Sequence, residues 1–159
     1  MGHIMNKIEA YCDGGCRNNQ ANSNVGGWGV LLQYQGHVKE LRGGDVNTTN
    51  NIMELTSCIM ALEAIKKKSI PVSIFSDSAY VVNAFNQGWI TNWKKNGWLN
   101  SKKEPVKNKE YWFKLLDLIE NFSEVEFIKV KGHSTNAGNN RADELANIAM
   151  DEVLTTNIK

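Results

Sequence analysis

Hydrophobic and polar residues follow strand-like patterns in the first third of the chain. β-Compatible residues run from Lys7 to Asp13 and again over residues 30–34, and Gly36 predicts a hairpin into residues 38–41. The sequence Asp13-Gly14-Gly15 is typical of a turn, so we expect the first strand to end there.

Helical spacing begins at residue 50. Apolar residues there recur three and four positions apart, which predicts a helix over 50–68 with Thr49 or Asn50 as its cap. The same criteria predict a strand over 72–77, helices over 80–88 and 111–122, a strand over 125–130 and a helix over 140–154. The order β-β-β-α-β-α-α-β-α predicts an α/β fold, a mixed sheet flanked by helices.

The size of the chain fits one domain. It has 159 residues, of which 42% are hydrophobic, and only two prolines. Residues 1–5 resemble the remnant of an expression tag, so His3 is set aside; residues 6–155 are expected to form the domain and 156–159 a C-terminal tail.

Composition also bears on location and redox state. No apolar stretch approaches the ~20 residues of a membrane span, and no secretory signal pattern precedes the domain. We therefore expect a cytoplasmic monomer without a membrane partner. The odd number of cysteines predicts reduced thiols at Cys12, Cys16 and Cys58 rather than disulfides or a zinc site.

Charge is balanced overall but uneven along the chain. The net charge is +1, yet residues 88–109 contain six lysines against the single acid Glu104 and alternate them with tryptophans. Such a stretch favours either a nucleic-acid surface or an amphipathic helix pair whose aromatic residues pack inside; for Tyr111 and Trp112 we favour packing.

Acidic residues occur at the ends of predicted elements, and each has an ordinary structural explanation. Asp13 could belong to the Asp-Gly turn, Asp77 could cap a helix, and Asp143 could complement a helix dipole. Glu54 could be a solvated acid at the edge of an apolar stripe. Together, however, two strand ends and two helix starts could converge at one end of a sheet, and such a cluster would require divalent cations such as Mg²⁺.

Several motifs occur together in the order found in one family. They are Tyr11-Cys12-Asp13-Gly14-Gly15, Thr49-Asn50-Asn51-Ile52-Met53-Glu54-Leu55, Ser76-Asp77-Ser78, Lys131-Gly132-His133 and Asn140-Arg141-Ala142-Asp143-Glu144-Leu145-Ala146. Over residues 7–153 the chain resembles the bacterial type-one ribonuclease H family.

This resemblance implies a ribonuclease H-like fold with a five-stranded mixed sheet and an enzyme that hydrolyses the RNA strand of RNA·DNA hybrids. It implies Asp13, Glu54, Asp77 and Asp143 as ligands of two Mg²⁺ ions, with Mn²⁺ as a substitute, and products with 5′-phosphate and 3′-hydroxyl ends. In two-metal catalysis, ions ~4 Å apart activate the attacking water and stabilise the leaving oxygen.

The resemblance also gives His133 a proton-transfer role near the metals. By pattern alone a lone histidine is usually a surface or core residue, but this one lies between Gly132 and a polar run containing Gly138. His37, in the predicted hairpin, is read as a surface residue.

The family pattern further implies a set of nucleic-acid contacts. Asn19, Asn50 and Asn51 match positions that read RNA 2′-hydroxyls, and Thr49 and Asn108 match positions that hold a DNA phosphate, although alone they read as a helix cap and a turn residue. The DNA-strand groove is expected to include Tyr80, Trp89, Trp93, Lys94 and Lys95. Ala79 departs from the polar residue found in many relatives, which predicts that a minor-groove contact is missing or supplied elsewhere.

Two other functions compete with this interpretation. One is a DNA nuclease or recombinase domain built on the same sheet, against which the absence of recombination domains and the motif match argue. The other is a non-catalytic hybrid-binding module, which would usually lack one or more acids of the cluster.

Overall fold

Five strands form one mixed sheet in the order β3-β2-β1-β4-β5. The computed structural model describes residues 6–18, 24–132 and 135–157. The strands are β1 (Ile8–Asn18), β2 (Asn24–Tyr34), β3 (His37–Val46), β4 (Val72–Ser76) and β5 (Val125–Lys129). β1, β2 and β3 form an antiparallel meander, whereas β4 runs parallel to both β1 and β5. The predicted fold class is therefore confirmed.

The helices within these ranges are α1 (Asn50–Ala64), α2 (Ala79–Asn86), α3 (Trp89–Lys95), α4 (Lys109–Glu120) and α5 (Ala137–Asn157). Thr49 caps α1 as predicted, because its side chain accepts a hydrogen bond from the Ile52 N–H at 3.0 Å. The element order contains one helix more than predicted. The additional helix is α3, which lies in the basic, tryptophan-rich stretch.

Helices α1 and α5 cover opposite faces of the sheet, and glycines of β2 allow both to approach closely. A Cβ on Gly26 would lie 2.3 Å from the Thr48 side chain, which precedes α1, whereas one on the next residue, Gly27, would lie 2.3 Å from the Ala146 carbonyl of α5. Gly29 likewise lies against the Ala142 carbonyl. Because neighbouring residues of a strand face opposite sides, these glycines allow helices on both faces of the sheet to pack closely against β2.

The core lies mainly between the sheet and α1, α2 and α4. Trp112 of α4 is fully buried there with Leu55, Leu62 and Ile74, which confirms the packing role expected for Trp112. Cys12 and Cys58 are buried free thiols and Cys16 is half-buried and free, as expected from the composition. In the part of the chain that the structure describes, no helix has the length and apolarity to cross a membrane.

Several predicted boundaries are wrong for physical reasons. β1 continues through the expected turn to Asn18, because Gly14 and Gly15 pair with Trp28 and Gly27 in the ladder with β2. The predicted end of α1 at residue 68 is also wrong, because Ile65 takes an extended conformation and enters the core. At the other terminus, α5 extends through Asn157, into the predicted tail.

Candidate metal centre

Asp13 and Asp77 are brought together by the parallel pairing of β1 and β4. The last paired residues of that ladder are Tyr11 and Phe75, whose rings stack with centroids 4.7 Å apart. Asp13 and Asp77 each come two residues later, so both carboxylates lie at the same end of the β1–β4 ladder, although β1 itself continues to Asn18. Asp77 does not cap the following helix as its alternative explanation required; Ser78 does, accepting from the Val81 N–H.

Glu54 reaches the same place from α1, because Gly14 has no side chain. A Cβ on Gly14 would lie 2.4 Å from the Met53 carbonyl carbon and 2.6 Å from the Glu54 backbone nitrogen. α1 therefore packs directly on β1. Glu54 is only 8% exposed, which contradicts its alternative interpretation as a solvated acid.

Asp143 completes the group from α5. It lies in the second turn of that helix rather than in the first turn that the sequence predicts, because α5 begins at Ala137. The close approach of α5 to Gly29 brings Asp143 to Asp13, the residue that pairs with Gly29, and interaction with Asp143 is one cause of the raised pKa of Asp13.

One carboxylate oxygen each from Asp13, Glu54 and Asp77 lies within 4.8 Å of the others. Asp13, Asp77 and Asp143 also line a cavity of about 310 Å³, together with Asn50. The structure therefore brings all four predicted acids to one site.

The electrostatics of this cluster favour a cation. Burial, followed by the charge of Glu54, the hydrogen bond with Asp143 and the charge of Asp77, raises the pKa of Asp13 to about 9. Burial and the charge of Asp77 raise the pKa of Glu54 well above its ordinary value, and the Gly14 N–H and Ser78 hydroxyl only partly oppose this rise.

The donor atoms fit a hard divalent cation. Glu54 Oε1 is buried and has no hydrogen-bond partner among the described residues. A buried acceptor without a donor is costly, and carboxylate oxygens are ligands that Mg²⁺ and Mn²⁺ prefer. The cluster could therefore hold metal.

The cavity also contains residues that the sequence analysis missed. Arg17 donates to the backbone and side-chain oxygens of Asn147 and forms an ion pair with Asp151 at 2.7 Å. Arg17 follows Asp13 by an even number of strand residues, and Asn147 follows Asp143 by one helical turn. Strand and helix periodicity could thus have revealed both.

Among the predicted nucleic-acid contacts, those at the start of α1 lie beside the acids. Asn50 lines the cavity, and its side-chain oxygen accepts from the Cys16 N–H at 2.8 Å. Thr49 and Asn51 are exposed next to it. Asn19 and His133 lie outside the described residues, but Gly132, which precedes His133 in the chain, contacts Asp77: a Cβ there would lie 2.9 Å from Asp77 Oδ2.

The remaining predicted contacts lie on α2, α3 and the start of α4. Tyr80 accepts hydrogen bonds from the Trp112 indole N–H at 3.1 Å and the Asn108 amide at 3.3 Å. Asn108 has φ +63°, in agreement with its interpretation as a turn residue. Tyr80 and Asn108 therefore have structural roles, Tyr80 as a hydrogen-bond acceptor and Asn108 as a turn residue.

The tryptophans of α3 are half-buried and form a cluster with their neighbours. Trp93 lies 6.4 Å from Trp89 and 5.7 Å from Trp98 between ring centroids, and 5.4 Å from buried Trp112. Lys94 and Lys95 are exposed in the last turn of α3. Core packing therefore holds the tryptophans in place while the lysines remain available.

Solved structures place this architecture in the ribonuclease H class. A type 1 enzyme described as LC9-RNase H1, with a type 2 active-site motif, superposes with a TM-score of 0.80 at 29% identity, covering 93% of this chain and 74% of that one. LC11-RNase H1, solved in complex with an RNA/DNA hybrid, gives 0.70 at 27% identity, covering 92% and 99%.

Sequence comparison agrees with the fold. The RNase H family profile matches residues 5–151. The ribonuclease H of Clostridium botulinum strain Hall is 51% identical over 148 residues, covering 93% of this chain and 98% of the relative. That of Ruthia magnifica is 49% identical over 151 residues, covering 95% and 100%. The chain belongs to the ribonuclease H family.

Proposed function

We propose that this ribonuclease H hydrolyses the RNA strand of RNA·DNA hybrids with Asp13, Glu54, Asp77 and Asp143 holding two Mg²⁺ ions, and that it leaves 5′-phosphate and 3′-hydroxyl ends. The observation that carries the proposal is the convergence of the carboxylate oxygens of Asp13, Glu54 and Asp77 within 4.8 Å. Hydrolysis of hybrid RNA is the activity of the family to which the chain belongs.

The proposed reaction depends on cations that the acids hold together. Asp13 is close to both Glu54 and Asp143, since both raise its pKa, and it would therefore share cations with these neighbours. When bound, the cations would lower the pKa of the attacking water and stabilise charge on the scissile phosphate. Mn²⁺ is expected to substitute, because it accepts the same oxygen ligands.

His133 would move a proton in this reaction. It follows Gly132 in the chain, and Gly132 contacts the Asp77 carboxylate. An imidazole titrates near neutral pH and can accept or donate a proton during hydrolysis.

Substrate recognition would divide between the two strands. Asn50, beside the acids, and its neighbour Asn51 would contact 2′-hydroxyls of the RNA, with Asn19 contributing from outside the described residues. The DNA strand would be held by Thr49, Asn108, Trp89, Trp93, Lys94 and Lys95. Tyr80 would fix Asn108 and Trp112 beneath this strand through its two hydrogen bonds. The exposed Ala79 lacks a polar side chain for a groove contact. Cytoplasmic location and a monomeric state stay predictions from the sequence.

One experiment separates this proposal from its alternatives. Labelled RNA·DNA hybrid, RNA·RNA and DNA·DNA duplexes are incubated with Mg²⁺, Mn²⁺ or EDTA, and the products are resolved with end-group analysis. We expect cutting of hybrid RNA alone, with 5′-phosphate ends, and no cutting in EDTA. Cleavage of DNA would favour the recombinase alternative, and binding without cleavage in either metal would favour the non-catalytic module.

A further inference from the structure

The first residue of β2, Asn24, holds the turn that leads into α1. Its side-chain amide donates to the Thr48 carbonyl at 2.7 Å, and its side-chain oxygen accepts from the Thr48 N–H at 2.8 Å. Its backbone carbonyl also accepts from the Asn47 N–H at 3.0 Å. One asparagine therefore satisfies three backbone groups of the turn.

The side-chain contacts are specific to asparagine. Thr48 is 7% exposed, so its backbone N–H and carbonyl would be left unpaired and largely shielded from water if Asn24 were shortened. Aspartate could still accept from the Thr48 N–H, but it would place an acceptor against the carbonyl.

The turn includes a left-handed residue, Asn47, with φ +54°, a conformation that asparagine adopts more readily than most other residues. The Thr48 hydroxyl oxygen is buried without a hydrogen-bond partner among the described residues. Asn24 thus supplies three hydrogen bonds that hold this segment at the start of β2.

The clasped segment leads directly to the residues next to the acids. Thr49 caps α1, and Asn50 is held from the other side by the Cys16 N–H at 2.8 Å. Two hydrogen-bonded anchors, one at Cys16 and one at Asn24, therefore add to the packing of α1 on Gly14 in positioning Asn50 and Asn51. The first lies in the cavity itself, whereas the second lies outside it.

We propose that Asn24 is a positioning residue for hybrid recognition, which fixes the turn at residues 47–48 so that Asn50 and Asn51 meet the RNA 2′-hydroxyls in register. This inference rests on the proposed function, because it needs those amides to read RNA. Asn24 itself touches neither substrate nor metal in this proposal.

The test compares Asn24→Ala and Asn24→Asp with Asn86→Ala. Asn86 also anchors backbone through its amide, at the Phe127 carbonyl 2.9 Å away, but on α2 and β5 away from the turn. Steady-state cleavage is measured below the melting temperature of each variant. We expect Asn24→Ala to raise KM about three- to tenfold with kcat changed less than twofold, and Asn24→Asp to fall between it and wild type. Asn86→Ala should lower the melting temperature without changing KM.

A second readout distinguishes positioning from general loosening. Hybrids that carry a single 2′-deoxynucleotide at successive positions near the cut are compared with the all-RNA strand. Wild type should lose activity at the positions that Asn50 and Asn51 read, and Asn24→Ala should lose much less at the same positions.

The outcomes are separable. If wild type cuts no hybrid, the proposed function fails. If wild type cuts hybrid but Asn24→Ala keeps its KM and its sensitivity to 2′-deoxy substitution, the positioning role is wrong, as it is if Asn86→Ala raises KM equally. Should Asn24→Ala fail to fold, the Asn24→Asp variant decides by the same two measurements.

Discussion

Glu54 and Asp77 hold carboxylate oxygens within 4.8 Å of each other, and burial, followed by the negative charge of Asp77, raises the pKa of Glu54. The two residues come from a helix and a strand end that the sequence separates widely. Their proximity lowers the stability of the fold when no cation is bound, since like charges so close oppose folding.

The first prediction concerns the pH dependence of stability. The pKa of Asp13 is raised to about 9 in the folded chain, whereas aspartate in an unfolded chain titrates at about 4. Between these values the folded chain binds more protons, so this contribution to the free energy of unfolding is present below about pH 4 and is lost as the pH rises through about 9. Urea unfolding in EDTA should show this decline.

Mg²⁺ should reduce that decline, because a bound cation replaces the proton. Asp13→Asn provides the control, since it removes the titrating group and retains the size of the side chain. Equal pH slopes for wild type and Asp13→Asn in EDTA would contradict the electrostatic description of the cluster.

The second prediction concerns Gly132→Ala. The added Cβ would lie 2.9 Å from Asp77 Oδ2, so either that carboxylate or the loop must shift. We expect roughly a tenfold loss of hybrid cleavage with little change in melting temperature, and a higher Mg²⁺ concentration for half-maximal activity. Lys131→Ala, at the exposed neighbouring position, should behave like wild type. An unaltered Mg²⁺ requirement in Gly132→Ala would argue against the contact with Asp77.

A third prediction concerns His133. Replacing it with alanine should slow turnover by about 10² to 10⁴-fold, the range of acid–base catalysis, and leave hybrid affinity nearly intact. Single-turnover cleavage and a mobility-shift titration in Ca²⁺ measure the two quantities separately. A comparable loss in both would show that His133 contributes to binding rather than to proton transfer.

The fourth prediction concerns the exposed lysines of α3. Neutralising Lys94 and Lys95 together should weaken hybrid binding and reduce the slope of log affinity against log salt by about 0.7 to 0.9 for each lost phosphate contact. Lys66 and Lys67 form a matched pair, since both are exposed after the end of α1 and outside the cavity that contains the acids. If the Lys66/Lys67 variant lowers the slope as much as the Lys94/Lys95 variant, α3 is not the specific contact surface.

Local patterns in the sequence predicted the presence and order of the five strands, the α1 cap and the buried Trp112 correctly, although β2 begins at Asn24 rather than at the predicted residue 30. They predicted the wrong structure at Asp13-Gly14-Gly15, because an Asp-Gly pair favours a turn locally, whereas here the glycines let α1 pack against a continuous strand. Whether residues 13–15 form a turn or continue the strand depends on packing against α1, which begins at Asn50. Local sequence preference contains no information about that long-range contact.

The candidate site shows the same limit. Each acid had an adequate local explanation, and only the family resemblance and their joint placement indicated a cluster. Asn24 was missed because its partner, Thr48, is identified only by the folded structure. Long-range hydrogen bonds between polar side chains and distant residues leave no periodic signal in the sequence.

The most direct test of the central claim is the single-turnover rate of hybrid cleavage in Mg²⁺ by wild type and by Asp13→Asn, Glu54→Gln, Asp77→Asn and Asp143→Asn, with enzyme in excess. Loss of a metal ligand removes several kcal/mol of transition-state stabilisation, so rates should fall by at least about 10²-fold for Asp13, Glu54 and Asp77. Asp143→Asn should retain more activity, because Asp143 does not belong to the group of three carboxylates, Asp13, Glu54 and Asp77, whose oxygens lie within 4.8 Å of one another. A variant of Asp13, Glu54 or Asp77 that cleaves within tenfold of wild type would contradict the proposed metal centre.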